Sequence, residues 1–214
     1  VAVRTMVRHV DVLSTNYNVD SPDGWLARYF FDGLRQLAPG KPILISEWFF
    51  AADENRSGNL NNTHLMTVPT QAERTRGAIA AAQRFAREPQ IVGLHWFQYY
   101  DHPYGGREDG EDHNFGLVDI NDRPYELLVE AFSRINPRLG DLHHQLPDTV
   151  QGNRQDPWQI PHAGIDARDR SLEEWPKQRA LIDRLTAPDP EIPFGDLYVA
   201  WSAHGLHLAL IAMD

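Results

Sequence analysis

The sequence predicts an α/β fold of parallel strands followed by a short antiparallel β segment. Three observations carry that prediction. From residue 11 to about 136, apolar strand-like runs alternate with amphipathic helical runs, and the connections are too long for hairpins. From 137 to about 162 periodicity disappears while Pro, Gln, Asp and His accumulate, the composition of a linker or wrap. Beyond it, LYVAWS at 197–202 and LHLALIAM at 206–213 alternate with period two around Ala203-His204-Gly205, a hairpin signature.

Taken in order, residues 11–18 (DVLSTNYN) read as a short buried strand running into a loop. GWLARYFFDGLRQL at 24–37 is an amphipathic helix opened by Ser21-Pro22-Asp23 and ended by Pro39-Gly40. PILISEW at 42–48 is almost wholly apolar with one carboxylate near its end, as suits a strand buried on both faces of a parallel sheet. A polar loop follows at 52–69, long enough to be a candidate functional loop. Residues 70–87 form an Ala-rich helix, and Thr70 with Glu73 three places later fits a capping box. IVGLHWFQYY at 91–100 is a third buried strand; a second polar loop spans 101–114, and a helix covers 125–135.

Composition narrows the function classes. The chain has 214 residues, of which 42% are hydrophobic and 23% charged, enough for one large domain or two small ones with a real core. The net charge is −10 and no basic stripe is present, so neither a nucleic acid nor an anionic membrane is an expected partner. Cysteine is absent, which removes disulfides, thiolate nucleophiles and Cys-ligated zinc. The sequence opens on Val1 rather than Met, so the lack of an N-terminal signal says nothing about export. There is no G-x-S-x-G, P-loop or G-x-G-x-x-G, and no H-E-x-x-H, so acyl transfer, nucleotide chemistry and a zinc protease site lack support.

In parallel α/β folds reactive groups gather at the C-terminal strand ends. Here those ends offer Asn16, Tyr17 and Asn18; then Glu47 and Trp48; then His95, Trp96, Gln98, Tyr99 and Asp101. Glu47 is the most informative, because a carboxylate closing an apolar strand is costly to bury unless bonded or catalytic. Its plain reading is a solvent-facing Glu or the partner of an Arg. Trp96 is a candidate sugar-stacking platform, though by itself such a residue is more often barrel core or rim. In HPYGGREDGEDHN, Asp109, Glu111 and Asp112 lack the spacing of a calcium loop, and a solvated acidic loop with Arg107 as internal partner is the simpler reading.

KPILISEW, followed by QIVGLHWFQYYDHPYGGREDGEDHNFGLVDINDRPYELLVEAF, resembles the last third of clan A glycoside hydrolases, closest to agarase-like and β-galactosidase-like members. The resemblance covers roughly residues 11–136. It implies the C-terminal portion, about strands six to eight, of a (β/α)8 barrel that cleaves glycosidic bonds with retention. It implies Glu47 as nucleophile, Tyr17 as the tyrosine that hydrogen-bonds it, and Trp96 as the aromatic floor under the sugar. Trp48, Asn16, Gln98, Asp101 and Arg107 are the candidate neighbours of the carbohydrate substrate. A retaining site needs a second, protonated carboxyl about 5–5.5 Å away. The family's Asn-Glu acid/base pair does not occur in this sequence. The acid/base residue is therefore expected upstream, and the chain is expected to be a fragment, inactive alone, whose partner is the missing N-terminal barrel half.

IDARDRSLEEWP with FGDLYVAWSAHGLHLALIAMD resembles the opening of a family-nine or DOMON-like carbohydrate-binding β-sandwich, with Arg168, Asp169 and His207 departing from its commoner residues. Trp175 and Trp201 read as core there. The expected domains are thus 1–136, barrel; 137–163, linker or wrap; and 164–214, the start of a truncated sandwich. No cofactor is required, and a structural calcium in the sandwich is compatible but unassigned. Secretion or a periplasmic site is expected from the family's role. The rival reading is a non-catalytic carbohydrate-binding or scaffolding protein built on a degenerate barrel.

Overall fold

The computed structural model describes residues 2–145, 160–166, 172–176, 181–186 and 193–212. Much of the expected linker, and Arg168 and Asp169, lie outside those residues. In chain order the elements are α1 (Ala2–Met6), β1 (Leu13–Asn16), α2 (Arg28–Leu37), β2 (Ile43–Trp48), β3 (Ala51–Ala52), β4 (Thr67–Val68), α3 (Gln71–Ala86), β5 (Ile91–Trp96), α4 (Glu126–His144), β6 (Leu181–Thr186), β7 (Pro193–Ser202) and β8 (Gly205–Ala212). They fall into two compact units.

The larger unit comprises residues 12–26 and 42–146. Its centre is a parallel sheet in the order β1-β2-β5, with Leu13 opposite Ile43 and Ile45 opposite Leu94. Ile43 and Ile45 are fully buried, as expected of strands covered by helices. The register slips where the strands end, between Thr15 and Asn16 in the first pairing and between Ile45 and Trp48 in the second. Such irregularities re-aim side chains at the rim of a sheet.

Helix α3 begins as its sequence demands. The Thr70 hydroxyl accepts from Glu73 N–H, and the Glu73 carboxylate accepts from Thr70 N–H, a capping box contributing about 1 kcal/mol. Ala78, Ala81, Ala82 and Phe85 form its buried face. Burial of the Phe85 ring alone stabilises by roughly 1.5–3 kcal/mol. Near the helix start the chain passes very close. A Cβ on Gly24 would stand 2.4 Å from the Gly77 carbonyl, and Gly24 has φ +73°, so only glycine fits. That turn is why the expected helix from residue 24 begins at Arg28 instead.

Helix α4 runs through Pro137 to His144, beyond its expected end. Proline removes one backbone donor, but the apolar stripe through Leu128, Phe132 and Leu139 continues, and His143 Nδ1 lies 3.0 Å from the Ala86 carbonyl. Tertiary packing overrides the breaker.

The second unit gathers residues 1–11, 27–41 and 147–214. β7 and β8 form the expected antiparallel hairpin, and β6 adds a third strand, in the order β6-β7-β8. Helix α2 packs on this sheet: the buried Asp196 carboxylate accepts from the N–H groups of Arg28 and, at 2.9 Å, Tyr29 at the helix start. Trp175 is buried as expected, whereas Trp201 is half exposed, its ring edge-on to His162 at 4.4 Å. Among the described residues no helix is long and apolar enough to cross a membrane.

Candidate active site

Glu47 stands one residue from the end of β2, opposite Asn16 in register, and its carbonyl accepts from the Tyr17 N–H at 2.9 Å. The Asn16 side chain accepts from Ser46 Oγ at 3.1 Å. The next side chain, Trp48, turns into the layer between sheet and helices, where its ring meets Phe85, Trp96 and Phe132 edge-on at 5.0–6.0 Å. Alternation along the strand turns Glu47 away from that layer. Its carboxylate takes no hydrogen bond among the described residues. Partial burial raises its pKa from the usual value, Glu111 adds to the rise, and Arg107 opposes it. Glu47 is therefore a half-buried, unsatisfied carboxylate within electrostatic reach of the loop at 101–114.

The long polar loops are knitted together by asparagines. Asn59 Nδ2 donates to Asp112 Oδ1 at 2.7 Å and to the His102 carbonyl at 3.1 Å. Asn61 Oδ1 accepts from Asn114 N–H at 3.0 Å, and Asn62 donates to the Gly110 carbonyl. The Asn-rich composition of 52–69 thus serves to hold the second loop. Arg107 pairs with Asp109 at 2.7 Å and Glu111 at 3.4 Å, the internal pairing that the spacing implied. No group of three or more His, Asp or Glu among the described residues is placed to hold a metal.

The structure distributes the predicted residues unevenly. Gln98, Asp101 and Arg107 line one open cavity of about 620 Å³ in the polar loops. Asp101 reaches it only as a buried strut: Oδ2 accepts from Ser57 Oγ and the Tyr125 hydroxyl at 2.6 Å each, and Oδ1 from Asn114 Nδ2 at 2.7 Å and Gly116 N–H at 2.8 Å. With four donors on two oxygens it has little capacity left for a sugar, contrary to the expected substrate contact. Tyr17 does not make the expected bond to Glu47. Its hydroxyl donates to Asp20 Oδ2 at 3.1 Å and its ring stands edge-on to Phe85, because Tyr17 follows the slip in register and turns toward α3. Trp96 joins Trp48 in the helix-side layer; its indole N–H donates to the Phe115 carbonyl at 2.9 Å and its ring touches Phe132 and the Arg74 guanidinium. Neither tryptophan presents a face on the Glu47 side. Phe97 alternates to the other side of the strand and packs with Phe49 and Phe115.

Several organising residues carried no sequence signal beyond their charge. Arg74 is fully buried, its guanidinium donating to the carbonyls of Phe50 (2.8 Å) and Gly116 (2.9 Å) and to Gln71 Oε1 (3.2 Å); burial lowers its pKa to about 10. Asp119 is buried, which alone would raise its pKa, but N–H bonds from Arg123 and Asn121 and the Arg123 guanidinium bring it below the usual value. A second cavity, about 670 Å³ and apolar, lies along β5 and α4 between Val92, Trp96, Phe132 and Leu139. No carboxylate is among its lining residues.

The fold defines an α/β unit with a strand-end carboxylate and polar loops above a parallel sheet. Known proteins resemble this chain in sequence and in fold. The chain is 33% identical over 141 residues to β-agarase B of Vibrio sp. (strain JT0107), covering 64% of this chain and 14% of that protein. It is 36% identical over 132 residues to β-agarase A of the same strain, covering 59% and 12%. It superposes on an exo-β-agarase with TM-score 0.58 at 31% identity, covering 66% of this chain and 18% of the other. An agarase crystal structure gives TM-score 0.55 at 35% identity, covering 66% and 21%. No family model matches. The chain thus corresponds to a small part of the length of its relatives, and those relatives are agarases.

Proposed function

We propose that the chain carries the nucleophile side of a retaining glycoside hydrolase that acts on a polysaccharide of the agarase or β-galactosidase type. The observation that carries this is Glu47: an unbonded carboxylate at the C-terminal end of a parallel strand, facing away from the packed helices, in a chain whose relatives are β-agarases. In a double displacement Glu47 attacks the anomeric carbon. A protonated carboxyl elsewhere in the polypeptide protonates the leaving oxygen, then deprotonates the incoming water. The role requires Glu47 ionised; burial and Glu111 favour its neutral form, and Arg107 favours the carboxylate.

On this reading residues 1–136 form the last strands of a barrel domain and 164–214 begin an appended carbohydrate-binding sandwich. The apolar cavity along the free side of β5 is where a neighbouring barrel strand and its helix pack. Asn16, Gln98 and Arg107 flank the sugar; Tyr17, Trp48, Trp96 and Asp101 act by holding the scaffold.

The test is Glu47→Gln in the natural full-length polypeptide. Turnover of agarose oligosaccharides should fall about a thousandfold or more with the fold intact. A 2-deoxy-2-fluoro glycoside of the wild-type substrate should label the peptide containing Glu47. Turnover within a few-fold of wild type would sink the assignment.

A further inference from the structure

We propose that His102 and His113 form a pH-sensitive clasp that holds the loop at 101–114 against the loop at 52–69, and that proton uptake by the pair releases it. The device is independent of the glycosidase reading, because it is built from the two loops and makes no use of Glu47.

The two imidazoles stand at opposite ends of HPYGGREDGEDH, and the turn of that loop brings them back together. The His102 N–H donates to the His113 carbonyl at 3.1 Å, and the His113 N–H donates to His102 Nδ1 at 3.2 Å. The ring centroids are 5.9 Å apart, and both rings pack on Phe115, His113 stacked at 4.6 Å and His102 edge-on at 5.4 Å. Both residues are wholly buried. The other loop joins at the same place. His113 Nε2 lies 3.0 Å from Thr63 Oγ1, and the His102 carbonyl accepts from Asn59 Nδ2 at 3.1 Å. Each histidine thus bonds within its own loop and across the seam.

These bonds hold only while the rings are neutral. A backbone N–H cannot change role, so His102 Nδ1 accepts from His113 and the ring proton sits on Nε2. A second proton on Nδ1 would set donor against donor and turn that nitrogen to the Glu111 carbonyl, 3.3 Å away in its own loop. His102 Nε2 and His113 Nδ1 have no hydrogen-bond partner among the described residues. The imidazolium form of either ring therefore buries an N–H without an acceptor and a charge without water. Charging both rings adds their mutual repulsion across 5.9 Å.

The charges that act on the pair belong to its own loop. Glu111 and Asp109 favour a charged His102 and Arg107 opposes it; Glu111 and Asp112 favour a charged His113 and His102 opposes it. Asp101, next to His102, is taken up by its four donors, and Arg107 by Asp109 and Glu111. The facing loop brings the uncharged Thr63 and Asn59, and its His64 is exposed. Burial outweighs the acids and holds both imidazoles below their usual pKa. Opening the seam returns the rings to water, where they titrate near 6.5. The closed seam is fully favoured above that pH and loses ground as pH falls through 6.5 toward the lower closed-state values.

The test is amide hydrogen exchange of the full-length polypeptide at pH 7 and pH 5, corrected for the intrinsic effect of pH. The reporting peptides contain Asn61 and Asn114, whose N–H groups cross the seam to the Asp112 carbonyl at 2.8 Å and to Asn61 Oδ1 at 3.0 Å. Exchange in both should rise roughly tenfold or more at the lower pH, while helix α3 stays unchanged. His102→Gln and His113→Gln should each shrink the rise. Flat exchange, a rise in one loop only, an equal rise in α3, or variants that respond as wild type does would each overturn the clasp. Should the variants fail to fold, exchange at the histidine C2 position of the wild type decides. Both imidazoles should titrate below 6.5, and a value at or above it for either ring refutes the proposal.

Discussion

Asp101 separates a contact with substrate from a structural role, and its replacement by Asn makes the difference measurable. The carboxylate receives four hydrogen bonds of 2.6–2.8 Å from Ser57, Tyr125, Asn114 and Gly116, groups that lie 13 to 44 residues away in sequence. Bonds to a charged acceptor are worth about 1.5–3 kcal/mol each, neutral ones about 1. Asn preserves an oxygen toward Asn114 and Gly116 but turns an N–H₂ toward two hydroxyls that had been donating. Two charge-assisted bonds are lost or reversed and two are weakened, so Asp101→Asn should destabilise by roughly 2–4 kcal/mol, a large share of a domain's total. Urea unfolding of the full-length polypeptide, followed by tryptophan fluorescence, measures it. A second readout is specific to this network. The Tyr125 hydroxyl is pushed up to about 12, by burial first and then by its bond to Asp101 and the charge there. Removing that charge should let Tyr125 ionise closer to its ordinary 10.0, seen as tyrosinate absorbance at lower pH. If unfolding stays within about 0.5 kcal/mol of wild type and Tyr125 titrates unchanged, the strut is wrong. A rise in KM with neither change would instead return Asp101 to the substrate.

Two further predictions follow from buried groups. Arg74→Met should destabilise by about 2–4 kcal/mol even though replacing a buried charge by an apolar group is often neutral, because the carbonyls of Phe50 and Gly116 lose their donors; a neutral or stabilising result in urea unfolding would refute that. His102 and His113 both have lowered pKa values, caused first by burial; Arg107 lowers His102 further against Glu111 and Asp109, and His102 lowers His113 further against Glu111 and Asp112. The neutral forms are favoured in the fold, so stability should decline as pH falls below about 6.5 toward the lower native values. The raised carboxylates Asp20 and Asp196 act in the opposite sense, so the expected result is a difference: His113→Gln should unfold with a flatter dependence than wild type between pH 6.5 and 5, and parallel curves would contradict it.

Much of the parallel unit was legible because its strands are short apolar runs and its best helix opens on a capping box. PILISEW and IVGLHW announce strands through composition alone, though in β5 only Ile91 is buried and Val92 and His95 are exposed; Thr70 with Glu73 marks a helix start that the structure reproduces. What escaped notice depends on partners distant in sequence. β3 and β4 are two residues each and exist only because Ala51 and Thr67 are brought side by side. β6, LIDRLT, mixes charge into its apolar pattern and becomes a strand by pairing with β7. Pro137 marked a helix end, yet Leu139 and His143 sit on the same packed face as Phe132 and carry α4 onward.

The site shows the same division more sharply. A carboxylate that closes an apolar strand can be located from the sequence, because the cost of its burial is local. The direction in which an aromatic neighbour points cannot, because it depends on one slip in register. Between Ile45 and Trp48 the pairing of β2 with β5 shifts, and Trp48 and Trp96 come together on the helix side, with Trp96 held by the Phe115 carbonyl. The ring at 96, which residue type suggests as a sugar platform, thus packs with Trp48 and Phe132, while the loops expose Tyr99, Tyr100 and Tyr104. Loop polarity misleads for a related reason. Asp101 and Arg107 are both charged loop residues, but one is enclosed by donors arriving from four places in the chain and the other is left at the surface with its own acidic neighbours. Residue type sets which chemistry is available; long-range hydrogen bonding decides which of those groups a ligand can still reach.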